Sequence, residues 1–368
     1  MGAELAANMA RVPWVDTAKG LCIIMVVMVH ATLGVEAYAG AEGWMGTVVS
    51  FARPFRMPDF FLISGLFLGL VIDRPWMRYL DRKVVHFAYF YVLWLTIQFL
   101  FKAPGMAMEN GAAYAGWEYL RAYWQPFGTL WFIYLLPIFF IATRLTKTLP
   151  VWFVLVWAAT LEILPVRTGS IIFDEFCSRF FYFYAGYVFA SNVFSIADWA
   201  RANAGKVAAM IAVWAPVNAW LVFTPAPASV AAFLQPDIGH SGATGGIAEL
   251  PFVSILLAMA GIAVVISVAA LISEKRWSGW LTWLGAHSIV VYLAFFLPMA
   301  VTRTVLLRTD LIPDIGTMSL ITTIAAVVGP VVLYGMVKWS GYGNFLFERP
   351  QWAVIDRTGI SEKLQPAE

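Results

Sequence analysis

Residues 20–38 read GLCIIMVVMVHATLGVEAY, and this stretch decides what kind of protein the chain is. Between Lys19 and Glu36 it holds no Asp, Glu, Lys or Arg, and one histidine, His30. A helix that crosses a bilayer needs about 20 mostly apolar residues, and this run supplies them. Further apolar runs follow at roughly 57–73, 84–101, 129–145, 149–165, 176–194, 207–224, 250–272, 284–306 and 317–339. The expectation is an all-α fold, a polytopic membrane bundle of about ten transmembrane helices. Composition agrees: 61% of the 368 residues are hydrophobic and 12% are charged, against about 25% charged in an ordinary soluble domain. Mean hydropathy is +0.75. A net charge of +2 without a basic patch gives no reason to expect a nucleic-acid partner.

Basic residues fix the orientation, because they favour the cytoplasmic side. With ten spans, the N-terminus, the even-numbered loops and the C-terminal tail hold 16 of the 24 basic residues, among them Arg11, Lys19, Arg74, Arg78, Arg82, Lys83, Lys338, Arg349, Arg357 and Lys363. The other side holds Arg53, Arg56, Lys102, Arg121, Arg167, Arg179, Arg303 and Arg308. The bias places both termini in the cytoplasm, with the first run a retained helix rather than a cleaved signal. Residues 1–345 are expected to form one membrane domain and 346–368 a short cytoplasmic tail. The outer loops differ: 102–128 is aromatic, with Tyr114, Trp117, Tyr119, Tyr123 and Trp124, and 225–249 is rich in Ala, Gly and Pro, with Asp237, His240 and Glu249.

Ionisable groups at membrane depth are costly, and mark function by default. His30 stands eleven residues after Lys19, about 16 Å along a helix and within about 20° of the same face. Asp16 falls on a similar face. A carboxylate, an ammonium and an imidazole therefore share one stripe. A neutral imidazole there can take a proton from an attacking hydroxyl; the alternative is a hydrogen bond to a neighbouring helix. Asp59 stands beside Arg53 and Arg56, and pairing with one of them is the structural reading. Glu162, near the end of its run, is placed to snorkel. His86 opens the third run, and His287 and Tyr292 do not share a face. Arg78, Arg82 and Lys83 are either ordinary flanking charge or a clamp for phosphates. Cys22 and Cys177 make neither a disulfide framework nor a zinc motif. With no HExxH, CxxC or Gly-rich phosphate loop and no GxSxG elbow, no metal site is expected. ATP-driven transport and serine hydrolysis likewise lack support.

Four segments resemble the acyltransferase-3 family of integral membrane acyltransferases, in particular its fucose 4-O-acetylase-like branch. They are WVDTAKGLCIIMVVMVH (14–30), FRMPDFFLISGLFLG (55–69), GTLWFIYLLP (128–137) and WLGAHSIVVYL (283–293). The resemblance implies a multi-pass inner-membrane O-acyltransferase. Acyl-CoA, most often acetyl-CoA, would be its co-substrate, with a hydroxyl of a carbohydrate or lipid-linked glycan as acceptor. It makes His30 the essential histidine and Lys19 its basic partner, and it places Arg78 and Arg82, with Lys83, in the donor clamp. His86 stands where the family often has a further Arg. Arg179, in SRFFYFYAGYVFA, resembles an element before the family's FxxGY segment. Many members have a histidine shortly after the last YL; this chain has Ala294 and Phe295. Ser64 and Gly65 match an SG pair, read as close helix packing first and hydroxyl chemistry second. Two other classes fit the same spans: a transporter or flippase for an envelope precursor, and a non-catalytic scaffold.

Overall fold

The computed structural model describes residues 12–164, 166–227, 229–230, 246–309 and 311–356. Arg11, Asp237, His240 and the tail from 357 onward lie outside the described residues. The fold is all-α. Helix α1, Pro13–Ala39, is about 40 Å long by its 27 residues and ends on Gly40 in the left-handed conformation. Then come α2 (Trp44–Gly65), α3 (Trp76–Asn110), α4 (Ala112–Arg121) and α5 (Trp131–Thr146). After these stand α6 (Val151–Ile163), α7 (Ile171–Val188), α8 (Ala190–Ala202) and α9 (Ala204–Phe223). The chain closes with α10 (Val253–Ile272), α11 (Gly279–Ala286), α12 (Ser288–Ala294), α13 (Phe296–Thr309) and α14 (Ile315–Ser340).

Among the described residues six helices are long and apolar enough to cross a membrane, and two bent pairs raise the number to as many as eight. Four of the ten expected runs depart from a single long straight helix. The run at 57–73 is helical only to Gly65, and its helix begins at Trp44. Arg53, Arg56, Asp59 and two prolines make that helix too polar to qualify as a span. The run at 149–165 yields the 13-residue α6, about 20 Å against a hydrocarbon core of about 30 Å. The run at 176–194 breaks between α7 and α8 with a 76° bend. The run at 284–306 divides into α11, α12 and α13, and the last two meet at 51°. Apolarity alone reports how much chain avoids water, and a break in direction leaves that sum unchanged.

Two compact units divide the chain: Met1–Phe67 with Leu149–Val331, and Leu68–Thr148 with Val332–Glu368. In the first, glycines set the helix approaches. A Cβ on Gly285 of α11 would lie 1.6 Å from the Asp16 carbonyl oxygen, and one on Gly20 would lie 2.4 Å from the Leu281 carbonyl oxygen. Helices α1 and α11 thus touch backbone to backbone, the close approach that small residues allow in membranes. Gly65 and Gly186 do the same for α2 and α7, at 2.2 Å from the Phe183 oxygen and 2.1 Å from the Leu62 oxygen. Trp14, Ile23, Phe61, Phe180, Phe183 and Phe295 are among the fully buried side chains that fill this unit.

In the second unit, α3 carries a π-turn over Asp81–Val85. The segment after α14 folds back on α3. Tyr89 donates to the Phe345 carbonyl at 2.9 Å, and the Trp94 indole donates to that of Leu346 at 2.9 Å. Arg349 pairs with Asp81 at 2.6 Å.

Gly285→Ala should separate α1 from α11 and lower stability by about 1–3 kcal/mol, the usual cost of overpacking. Gly279→Ala, whose added Cβ meets open space, should leave it unchanged. Thermal unfolding of the two variants in detergent micelles checks the pair.

Candidate functional site

Helix α1 carries the polar stripe. Asp16 is buried and accepts from the Lys19 ammonium at 3.5 Å. The same ammonium lies 5.9 Å from the centre of the Phe67 ring. Asp16 also lines an open cleft with Pro13, Ser273, Gly279, Thr282 and Trp283. Beside the cleft, Thr17 shares a hydrogen bond with Thr282 at 2.8 Å, and His287 stacks on Trp283 at 4.2 Å. His30 stands eleven residues further on, about 16 Å away along the axis, and is half-buried. Its ring packs on Phe295 with centroids 5.6 Å apart and planes inclined by 31°. Phe295, fully buried, is the residue at which α12 bends into α13. The structure therefore brings Asp16 and Lys19 together as an ion pair, and keeps His30 about three turns beyond them.

The remaining site candidates of this unit separate. Arg53 pairs with Glu249 at 2.6 Å, and Arg56 donates to the Val49 carbonyl at 3.4 Å. The expected pairing of Asp59 with either arginine is thus corrected. Asp59 is fully buried and neither carboxyl oxygen has a hydrogen-bond partner among the described residues. Arg53 reaches Glu249 outside α2, and Arg56 turns back to a carbonyl one to two turns earlier on its own helix, away from Asp59. Ser64 donates to the Phe60 carbonyl of its own helix at 2.7 Å. Arg179 pairs with Glu175 at 3.2 Å. Glu162 does not snorkel; it is buried and accepts from the Tyr182 hydroxyl at 2.7 Å.

In the second unit, Arg78 and Arg82 stand on either side of the start of the π-turn, and Lys83 lies 4.4 Å over the Phe140 ring. Arg74, which sequence reading left among flanking charges, belongs with them. Its pKa is lowered, first by burial and then by the charges of Arg82 and Arg78. Arg74, Arg78 and Arg82 follow one another at intervals of four residues, near enough for the charges of the latter two to act on Arg74. Asp81 does not neutralise them, because Arg349 and the Ile355 backbone N–H occupy its two oxygens at 2.6 and 2.8 Å. Arg144 is held apart too, lying 4.0 Å over Trp76 and donating to the Arg74 carbonyl at 2.7 Å. Such a cluster suits a multiply charged anion such as a chain of phosphates. The RxxxRxxxR spacing at 74, 78 and 82 was the signal available in the sequence. His86 packs edge-on against Phe87 and Phe90.

Helices long and apolar enough to cross a membrane define a class, that of multi-pass integral membrane proteins. Residues 12–335 match the acyltransferase domain family, and the chain belongs to that family as a multi-pass integral membrane protein. It is also similar to "Inner membrane protein YcfT" of Escherichia coli (strain K12), with 29% identity over 159 residues. That match takes in 37% of this chain and 44% of the relative, so the chain spans less than half of the curated relative's length. No solved structure matches the chain.

Arg349→Leu should destabilise the protein by about 3–5 kcal/mol, because it leaves the Asp81 carboxylate buried beside a lost partner. Arg349→Leu/Asp81→Asn should recover part of that loss. Unfolding midpoints in detergent micelles read the difference.

Proposed function

We propose that the chain is an O-acyltransferase of the inner membrane, where it is integral and multi-pass, with both termini in the cytoplasm. It moves an acyl group, acetyl in the simplest case, from acyl-CoA to a hydroxyl of a carbohydrate or lipid-linked glycan. The observation that carries this reading is His30: a half-buried imidazole on a spanning helix of a chain that belongs to an acyltransferase family. Arg78, Arg82 and Lys83, joined by Arg74, take the donor's phosphates. Lys19, oriented by Asp16, serves the stripe's cytoplasmic end.

The chemistry at His30 balances simply. The imidazole takes the proton of the acceptor hydroxyl as its oxygen attacks the thioester carbonyl. The carbon–sulfur bond breaks, the acyl–oxygen bond is made, and the imidazolium proton goes to the departing CoA thiolate. Asp59 and Ser64 are in the same unit as His30, and neither is needed for this transfer. Arg179, tied to Glu175, acts through the packing of α7.

His30→Ala should cut acyl transfer by about 10²–10⁴-fold, the usual contribution of a positioned base, while CoA still raises the melting temperature. Acetyl-CoA turnover by the purified protein checks this, and unchanged turnover would remove the mechanism. Arg78→Gln/Arg82→Gln should weaken CoA binding at least tenfold, since charge-assisted hydrogen bonds contribute about 1.5–3 kcal/mol each. Titration calorimetry with CoA reads that loss; equal affinity would undo the clamp.

A further inference from the structure

Arg303 of α13 is half-buried, and among the described residues its guanidinium makes no ion pair and no hydrogen bond. It lies 4.6 Å over the Tyr38 ring. Its Nη1 stands 2.4 Å from the place a Cβ on Gly34 would occupy. An arginine near a membrane face ordinarily extends its head toward water. This one is laid on the backbone of α1 at the position where a glycine leaves room for it.

The position matters because of what precedes it on α1. Gly34 is four residues after His30, so it lies on nearly the same face, about 6 Å further along the axis. Helix α13 keeps the alignment: Phe295, just before it, packs on His30, and Arg303, eight residues later, reaches Gly34 and Tyr38. Along this stripe of α1 the order is thus Asp16–Lys19, His30, then Arg303. The base stands between two cations, one at each end.

We propose that Arg303, seated on Gly34 and Tyr38, anchors an anionic group of the acceptor. This rests on the reading of His30 as the base. The acceptor class is then a hydroxylated molecule carrying a carboxylate or a phosphate about 6 Å, one helical turn, from the hydroxyl that is acylated. A guanidinium forks either oxyanion with two parallel N–H donors. Carboxylate, as on a uronic acid, and phosphate, as on a lipid-linked sugar, share that chemistry, and the test separates them. Gly34 is a positioning residue: an added methyl displaces the guanidinium and leaves its charge in place.

The full-length protein in detergent micelles is saturated with CoA, so that the basic group of the other unit is occupied. It is then titrated with methyl β-glucuronide, glucose 1-phosphate or inorganic pyrophosphate, with methyl β-glucoside as the neutral control. Thermal stabilisation gives the apparent Kd. At least one anion should stabilise the wild type where the glucoside does not, and Arg303→Gln should raise that Kd tenfold or more. Gly34→Ala should weaken the same anion without lowering the unliganded melting temperature, since alanine favours the helix over glycine. Glucuronide alone identifies a carboxylate acceptor; glucose 1-phosphate or pyrophosphate identifies a phosphate. No stabilisation of the wild type by any anion overturns the anchor, as does equal stabilisation of wild type and Arg303→Gln. Loss of turnover in His30→Ala alongside unchanged anion affinity in Arg303→Gln overturns the anchor alone. Unchanged turnover in His30→Ala instead overturns the acyltransferase reading, whatever Arg303 does.

Discussion

Hydrocarbon offers no hydrogen bonds, so a chain that enters it must satisfy its backbone within helices, and a polar side chain there is costly unless the protein supplies its partner. Helix α1 depends on this most heavily. It carries Asp16, Lys19 and His30 through a unit in which α11 touches it backbone to backbone at Gly20 and Gly285. Bulkier residues at that crossing would hold the helices apart and open Asp16 and Thr17 to a different environment. The chemistry proposed for His30 thus rests on two missing side chains. Phe295 and the bend after α12 complete the surroundings of the ring.

The second unit meets the same constraint with charge. The charges of Arg82 and Arg78 act on Arg74, and burial works against it first. Neutralisation by Asp81 would be the easy resolution, yet Arg349 and Ile355 take both of its oxygens. The segment after α14 therefore does more than end the chain. By occupying the nearby carboxylate it leaves the arginine group positive, as the proposed donor clamp requires.

Much of the fold was legible because hydropathy records how long a segment avoids water. The long helices α1, α5, α9, α10 and α14 stand close to where their apolar runs predict. Direction was not legible. Nothing in SRFFYFYAGYVFA announces the 76° turn that separates α7 from α8, since the apolar run continues across it to residue 194. The pairing of Asp16 with Lys19 follows from helical spacing alone. The isolation of Asp59 does not, because Arg53 turns to Glu249 and Arg56 to a carbonyl of its own helix. Arg303 was visible only as one basic residue of an outer loop; its meaning lies in Gly34, remote in the chain. Arg74 was hidden by Pro75, which separates it from the helix whose spacing it continues.

The π-turn at Asp81–Val85 bears on how such a surface arises. A regular α-helix advances each residue by about 100°, and a single extra residue accommodated as a π-bulge shifts everything before it by that angle relative to everything after. Arg78, on the turn before it, is thus rotated relative to the apolar pattern of residues 86–110. The wider turn of backbone absorbs the change of phase, so the basic residues at its start and the apolar span that follows need not share one helical register.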